Sequence, residues 1–167
     1  MSDDPTPRFA LPLLQPGQAQ KELYHNEALA LIDLGLHPCV IAMGVDTPPS
    51  APILGACWII GTAPTGVWAA AANYLAGWTA GGWRFVAPQD GMTVWSLQDG
   101  VYARFAAGNW TMGEARYARL LIDSVQVIGP QQPSIANPVG GSVIDGEARA
   151  SIATIIDALA THGLIAR

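Results

Sequence analysis

Tryptophan and tyrosine are the residues of this chain that are best suited to bind a ligand. Nearly all of them fall in one stretch, between residues 58 and 117. Their rings combine a flat apolar face with a polar group, and the C–H faces of sugars stack on such surfaces. The pattern therefore indicates carbohydrate binding. The rings in this stretch are Trp58, Trp68, Trp78, Trp83, Trp95 and Trp110, with Tyr74, Tyr102 and Tyr117.

A role in the core is the alternative for each of these rings, because a small β domain with few other large residues needs Trp to fill its interior. The strand context of Trp58, Trp83 and Trp95 favours the core. The other rings of interest stand next to predicted turns. We predict that three of these are exposed and bind carbohydrate: Trp78, Tyr102 and Trp110.

Catalysis by paired carboxylates is the competing chemistry. Glycoside hydrolysis uses two carboxyl groups about 5–10 Å apart. Asp90 and Asp99 each directly precede a glycine, and this turn position explains them without catalysis. Glu114 and Asp123 are the remaining candidates. We therefore predict that the protein is not an enzyme, with a polysaccharide-degrading hydrolase as the alternative.

Metal and cofactor motifs are missing from the sequence. His25, His37 and His162 are far apart, and neither H-E-x-x-H nor C-x-x-C occurs. The glycine-rich residues 61–66 lack the lysine of a phosphate-binding loop. We expect no metal and no cofactor. Cys39 and Cys57 are expected to be free thiols, with a disulfide left open because its formation depends on distances.

The elements that must position these residues begin with an N-terminal arm and a helix. Four prolines interrupt residues 1–16 and favour an extended arm, which lies on a partner or on its own domain. Apolar spacing predicts a helix over residues 19–34, ended by Gly35. Polar residues at its start either pair with other copies in an assembly or cap the helix and tie down the arm. They are Gln18, Gln20, Lys21, His25 and Asn26.

Short β-favouring runs separated by glycine-containing turns come after the helix, from residue 57 to residue 128. Asp-Gly between two such runs, at residues 90–91 and 99–100, is a strong hairpin signal. Regular turns every 8–12 residues favour a small antiparallel β meander or barrel. The runs predicted as strands are 57–60, 73–78, 83–87, 92–97, 101–106, 110–112 and 120–128.

A second helix ends the chain, after a Pro/Gly linker at residues 129–141. Asp145 is its predicted N-cap, and Gly163 is its predicted stop. Its apolar residues are spaced 4, 3 and 4 apart, which is the pattern of a coiled-coil seam, and isoleucine in such a seam favours trimers. This helix either joins copies of the chain or docks onto the sheet of its own chain. The predicted oligomerisation seam is Ala148, Ile152, Ile155 and Leu159.

The sequence thus predicts a mainly β protein with flanking helices, in which the C-terminal helix serves oligomerisation. Its predicted parts are an arm and helix (1–44), a Trp-rich antiparallel β module (45–128), a linker (129–141) and the C-terminal amphipathic helix (142–167).

Charge is scarce in this chain, and its scarcity indicates partners. Half of the 167 residues are hydrophobic and 13% are charged, against a usual charged share of roughly 25%. We expect surface to be buried in a homo-oligomer, with a trimer favoured and a pentamer as the other candidate; a dense Ala- and Gly-rich sandwich is the alternative.

The net charge of −5 and the scattered basic residues argue against nucleic-acid binding. The first residues do not resemble a signal peptide, and no apolar run reaches membrane-spanning length, so we expect synthesis in the cytoplasm and no membrane contact.

Two motifs around the start of the first helix are fairly specific: P-G-Q-A-Q-K at residues 16–21 and H-N-E-A at residues 25–28. They resemble those of an uncharacterised domain family that recurs in phages, prophages and gene transfer agents of alphaproteobacteria. The similarity continues through C-W-I-I at 57–60, T-G-V-W at 65–68 and G-G-W-R-F-V-A-P at 81–88, and it covers roughly residues 8–112. Residues 140–145 and 152–165 resemble the endings of phage-type fibre proteins.

This resemblance implies a structural component on the surface of a phage-like particle. Gene transfer agents carry head spikes that contact the host capsule, and the chain resembles such a head or tail spike or fibre protein. Its implied partners are other particle proteins and the polysaccharide of the host surface. An adaptor protein inside the particle assembly remains an alternative.

Overall fold

The computed structural model describes residues 5–14, 21–142 and 145–166 and divides into two compact units, Met1–Glu114 and Ala115–Arg167. The fold is mainly β with one helix towards each end, as the sequence predicts. The described part contains helix α1 (Lys21–Gly35), strands β1 (Cys39–Val40) and β2 (Cys57–Ile59), a 3-10 helix (Gly66–Trp68), strands β3 (Leu75–Thr79), β4 (Gly82–Val86), β5 (Thr93–Ser96), β6 (Val101–Ala106), β7 (Asn109–Met112), β8 (Leu120–Ile122) and β9 (Val125–Ile128), and helix α2 (Gly146–Thr161).

Two sheets form the N-terminal unit. One has the strand order β1-β5-β6-β7 and the other the order β2-β3-β4. All pairs are antiparallel except β1 with β5, where Cys39 pairs with Trp95 in parallel. The chain after β1 runs along β2, and the N–H of Ile41 donates to the carbonyl of Cys57 at 2.8 Å. The two antiparallel meanders are therefore joined through residues 39–45, and the described residues contain no closed barrel.

Three of the glycine-containing turns form the hairpins that the sequence predicts. Residues 80–81 join β3 to β4, residues 97–100 with Asp99-Gly100 join β5 to β6, and residues 107–108 join β6 to β7. Ala107 and Gly108 both have positive φ, at 50° and 81°. This is the geometry of the type I′ turn, whose twist matches that of the flanking strands.

The hairpin predicted at Asp90-Gly91 is wrong. This turn connects β4 to β5, which lie in different sheets. The Gly91 N–H donates to the carbonyl of Phe105, and the Asp90 carboxylate accepts from the N–H of Ala107, so the turn is fixed against the β6–β7 hairpin. The Asp-Gly pair therefore marks a crossing between sheets.

The main core lies between the two sheets and α1. Leu34 of α1 is completely buried against Gly77 of β3, where an added Cβ would fall 2.7 Å from one Leu34 methyl carbon. A glycine is required here because helix and sheet approach this closely. The buried members of this core are Leu34, Val40, Cys57, Ile59, Leu75, Val94 and Ala103.

A second core of tryptophans covers the other face of β2-β3-β4. Trp58 and Trp68 are buried and pack with Trp83 in tilted or edge-to-face contacts, with ring centroids 5.0 to 6.4 Å apart. Such contacts add to the burial of the rings. The expectation that Trp58 is a core residue is confirmed, and Trp83 lies half-buried against the same cluster.

The described part of the arm, residues 5–14, lies on helix α1 of its own unit. The buried Asp33 carboxylate accepts from the Thr6 hydroxyl (2.8 Å) and from the N–H groups of Arg8 (3.0 Å) and Phe9 (2.7 Å). The Arg8 guanidinium donates to carbonyls at the end of α1, including that of His37 at 2.9 Å. It thereby satisfies carbonyls that a helix C-terminus leaves free, and its charge complements the helix dipole.

The C-terminal unit consists of the β8–β9 hairpin, an extended segment and α2. The single strand predicted over 120–128 is wrong, because Asp123 and Ser124, with φ of 49° and 65°, reverse the chain between β8 and β9. The predicted N-cap is confirmed: the Asp145 carboxylate accepts from the Ala148 N–H at 2.9 Å. Gly163 has φ 74° directly after the C-cap and ends the helix as expected. Neither helix of the described part is long and apolar enough to cross a membrane.

Candidate functional site

A cavity of about 320 Å³ opens in the N-terminal unit between the loop after β1, the end of β2 and strand β7. It combines one aromatic ring, two methionines and several polar side chains, which is the mixture found in small-molecule sites. The residues that line it are Met43, Gly44, Asp46, Ile59, Ile60, Gly61, Thr62, Asn73, Asn109, Trp110 and Met112.

Trp110 forms a fixed wall of this cavity. Its indole N–H donates to the carbonyl of Asn73 at 2.8 Å, and its ring packs edge-to-face on Phe105 with centroids 5.3 Å apart. Asn73 itself adopts a left-handed conformation, with φ 67°. Because both the ring and its polar group are held, Trp110 presents a surface that loses little conformational entropy when a ligand binds.

Asp46, another lining residue, is held by the backbone around Gly61. One of its carboxylate oxygens accepts from the N–H of Ala63 at 2.9 Å. A Cβ on Gly61 would collide with this carboxylate and would lie 2.8 Å from the carbonyl oxygen of Gly44. Gly61 therefore lets a carboxylate lie directly against the chain at the cavity, where it can accept hydrogen bonds from a ligand.

The remaining polar groups suit a ligand rich in hydroxyls. Thr62 offers a hydroxyl, and the amides of Asn73 and Asn109 offer both donors and acceptors. Beside the face of Trp110, this set matches the alternation of C–H faces and hydroxyls in a sugar. Among the residues that the structure describes, Asp46 is the one carboxylate in the lining, whereas hydrolysis of glycosides by the common route uses two.

The comparison with known protein families decides what the N-terminal unit is. The family model described as "Protein of unknown function (DUF2793)" matches residues 25–111, from α1 into β7. The chain belongs to the DUF2793 family. No curated protein matches it. All lining residues of the cavity except Met112 lie within the DUF2793 domain, so the cavity is a feature of the domain itself.

The three predicted sugar-binding rings lie at different places on the DUF2793 domain. Trp110 is half-buried at the cavity, and Trp78 is half-buried beside Trp83, with ring centroids 5.1 Å apart. Tyr102 is 63% exposed on the outer face of β6, where it packs on Trp95 at 4.8 Å. The expected core position of Trp95 is wrong, because β5 turns Val94 and Ser96 inward and Trp95 outward.

The cavity residues Asp46, Thr62, Asn73 and Asn109 escaped the sequence analysis. Asp46 and Asn109 stand beside turns, where their residue types need no further explanation. They lie on separate elements that meet only when the two sheets join. Trp110 is the single site residue that the sequence pattern singled out.

The polar residues predicted at the start of α1 divide into two groups. Gln18 and Gln20, with the side chain of Lys21, lie outside the described residues, and His25 is exposed. Asn26 accepts from the Leu14 N–H at 2.8 Å and donates to the Leu14 carbonyl at 3.0 Å. This contact supports the interpretation that Asn26 ties down the arm.

The predicted oligomerisation seam of α2 lies on its solvent side. Ala148, Ile152 and Ile155 are exposed and Leu159 is half-buried. A different face of α2, with Ala153, Ile156 and Ala160 half-buried, is the one turned away from solvent; Ile156 and Ala160 line a cleft with residues 134–137. The helix therefore docks within its own unit and keeps the seam open.

The carboxylates considered for catalysis either lie in turns, where two of them accept hydrogen bonds, or are exposed. Asp90 accepts from the Ala107 N–H, and Asp99 accepts from the Ser96 hydroxyl at 2.6 Å. Asp123 lies in the β8–β9 turn, and Glu114 is exposed. Within the described ranges, no group of three or more His, Cys, Asp or Glu residues is arranged to hold a metal ion.

Both cysteines are free thiols, and Cys57 is completely buried. Burial raises the pKa of the Cys57 thiol from about 9 to about 11, because the apolar core disfavours the thiolate. The unfolded chain releases this proton at lower pH than the folded protein. The protonated Cys57 thiol therefore contributes fully to the free energy of unfolding below pH 9. This contribution, on the order of 2–3 kcal/mol, is lost as the pH rises through 11.

We expect urea unfolding to show this loss between pH 8.5 and 11 in the native chain and to show less of it in a Cys57→Ala variant. The measured quantity is the slope of the free energy of unfolding against pH, because the substitution also lowers that free energy at every pH. An Ile60→Val variant, which trims the second core and removes no ionisable group, serves as the control and should keep the native slope. Equal slopes for all three proteins would show that Cys57 does not ionise on unfolding in this range.

Proposed function

We propose that the chain is a non-catalytic structural component on the surface of a phage-like particle of the gene transfer agent type. In this role it is a head or tail spike or fibre protein that forms oligomers and attaches to the polysaccharide of the host surface. The particle assignment depends on the resemblance of residues 16–21 and 25–28 to phage-associated sequences. The observation that carries the attachment function is the cavity with its fixed Trp110 and its ring of hydroxyl-binding groups.

The C-terminal unit supports the oligomer. Every residue of β8 and β9 is exposed, and all but Gln126 are apolar. The hairpin therefore presents apolar side chains on both of its faces. An isolated two-stranded hairpin is marginally stable in water, and patches of this kind mark interaction sites. Together with the open seam of α2, this surface supports burial against other copies, as in a trimer.

The single carboxylate of the cavity is the reason to propose binding rather than hydrolysis. A depolymerase using the two-carboxylate route needs a second acid near Asp46 to protonate the leaving oxygen or to attack the sugar. The other carboxylates considered lie elsewhere, in turns or at the surface. Release of reducing ends from capsule by the purified protein would replace this proposal with the hydrolase.

Purified capsule polysaccharide titrated against tryptophan fluorescence tests the attachment function. We expect a saturable change for the native chain, since Trp110 is a wall of the cavity. Asp46→Asn keeps the shape of the side chain and an oxygen for the Ala63 N–H but removes the charge. Because a hydrogen bond to a charged group contributes about 1.5–3 kcal/mol, we expect this variant to bind about tenfold or more weakly.

Two further variants make this titration specific. Asp90→Asn, which changes a turn carboxylate outside the cavity in the same way, should bind like the native chain. Tyr102→Ala removes the exposed ring of the outer face and should also leave binding unchanged. Loss of binding in Tyr102→Ala with full binding in Asp46→Asn would move the site to the Trp95–Tyr102 surface. The absence of any response at millimolar sugar would contradict the attachment function.

The place in the particle needs a separate test. Antibodies against the chain should label intact particles if the protein is a surface spike or fibre. Labelling that appears only after particles are opened would favour the adaptor.

A further inference from the structure

Helix α1 buries Leu34 in the main core, yet it also turns two carboxylates toward the protein and presents large apolar side chains to solvent. Glu27 pairs with Arg84 at 2.8 Å and Asp33 is buried against the arm, so these carboxylates face the protein. Tyr24 (83% exposed) and Ile32 (51% exposed) face solvent. A surface helix normally shows the reverse arrangement. The solvent face, called here the outer face of α1, consists of Tyr24, His25, Ala28, Leu31, Ile32, Gly35 and Leu36.

Large and small residues alternate along the central row of this face. Tyr24, Ala28, Leu31 and Gly35 succeed one another at spacings of 4, 3 and 4, which keeps them in one line along the helix. Gly35 has no atom within 4 Å of the position of a Cβ, so the space above it is open. The row reads large, small, large, small.

This order is complementary to itself when a second helix runs in the opposite direction. In an antiparallel pair centred midway between residues 29 and 30, Tyr24 meets Gly35 of the second copy and Leu31 meets its Ala28. Every layer then places one large side chain against one small one, which is how packed layers interdigitate. A parallel pair would put Tyr24 against Tyr24 and leave a void between the two Gly35 residues.

We propose that the outer face of α1 binds the same face of a second copy in an antiparallel, two-fold symmetric contact. Such a contact is isologous, because each copy contributes the same patch. It is distinct from the seam predicted on α2, so it adds an interface to the proposed assembly and does not depend on that seam.

Charge and area both agree with a second copy as the occupant. The chain has a net charge of −5, so two copies repel each other at most approaches. Among the side chains that the structure describes, this face carries no Asp, Glu, Lys or Arg, and Lys21 continues its central row three residues before Tyr24. In the antiparallel pair the two Lys21 residues stand at opposite ends, so the contact brings no like charges together. The large apolar residues of this face are substantially exposed, and a pair that buried the whole face would cover roughly 1,000 Å² in total, which is the size of a weak, reversible contact.

Sedimentation velocity of the full chain over a concentration series tests the contact. We expect Ala28→Glu to weaken the pairing by at least about tenfold, since it buries an unpaired carboxylate in a dry interface. Ala70→Glu makes the same change at an exposed alanine outside the face and should behave like the native chain. An Ala28→Glu variant with the native mass at every concentration would overturn the proposal, as would a native chain that never pairs.

Exchanging a large and a small residue tests whether large side chains pack against small ones in the pair. Ala28→Leu sets leucine against leucine, and Leu31→Ala sets alanine against alanine, so each single variant should pair more weakly. The double variant restores large against small in both layers and should regain most of the native affinity. The absence of this rescue would refute the antiparallel arrangement. These variants introduce no charge, so they remain informative even if Ala28→Glu fails to fold.

Discussion

Replacing Trp68 by alanine is expected to lower the free energy of unfolding of the N-terminal unit by about 3–5 kcal/mol. Trp68 is completely buried and joins Trp58 and Trp83, so its removal leaves a cavity between two other rings. Its indole N–H has no acceptor among the described residues. The loss therefore comes from packing alone, and it should appear in urea unfolding followed by fluorescence.

Two matched substitutions separate this packing loss from a general effect of removing tryptophan. Trp95→Ala removes a ring of the same size from the outer face of the larger sheet and should cost much less. Trp68→Phe keeps an aromatic ring in the cluster and gives up no hydrogen bond, so its cost should lie between the two. If Trp68→Ala and Trp95→Ala were equally stable, the tryptophan cluster would not be a core.

Asp33→Ala is the second change with a large expected effect, about 3–5 kcal/mol. The carboxylate is buried and accepts three hydrogen bonds from the arm, and alanine would leave the Thr6 hydroxyl and two backbone N–H groups without it. A hydrogen bond to a charged group contributes about 1.5–3 kcal/mol, although the contributions within one network do not add fully. We expect residues 5–14 to detach from α1.

Trypsin reports this detachment directly. Arg8 is shielded in the native chain because its guanidinium contacts the carbonyls at the end of α1. In Asp33→Ala, cleavage after Arg8 should become rapid under native conditions. Asp99→Ala removes a carboxylate that bonds Ser96 in an exposed turn, and it should leave Arg8 protected. Continued protection of Arg8 in Asp33→Ala would mean that other contacts hold the arm.

The sequence predicts a turn or a helix end well when the contacts that form it are made between neighbouring residues. Ala107-Gly108 and Asp99-Gly100 give hairpins because the turn residues themselves favour the required backbone, and Asp145 caps α2 through its own carboxylate. Asp90-Gly91 misleads because a distant partner, Phe105, fixes this turn and directs the chain into the other sheet. The Asp123-Ser124 turn is missed because neither residue type signals positive φ as strongly as glycine does.

Non-local pairing explains why the sequence does not reveal the site. Strand β1 has two residues and no strand signal of its own, and it exists because β5 is beside it. The cavity results from that pairing, since Asp46 and Trp110 come together only through the joined sheets. Periodicity likewise marks the seam of α2 but misses the outer face of α1, because Asp33 and Glu27 are turned inward together with Leu34 while other apolar residues of the helix are exposed.

The parallel pairing of β1 with β5 also sets an order of events during synthesis. A ribosome adds about 5–20 residues per second. Helix α1 and β1 therefore emerge several seconds before the strands that cover Leu34 and Val40, among them β5 and β6. Until residue 103 has left the exit tunnel, the nascent helix has apolar side chains uncovered on both sides. Completion of the N-terminal unit thus waits for the last meander, and until then a chaperone or another nascent chain can bind the uncovered helix.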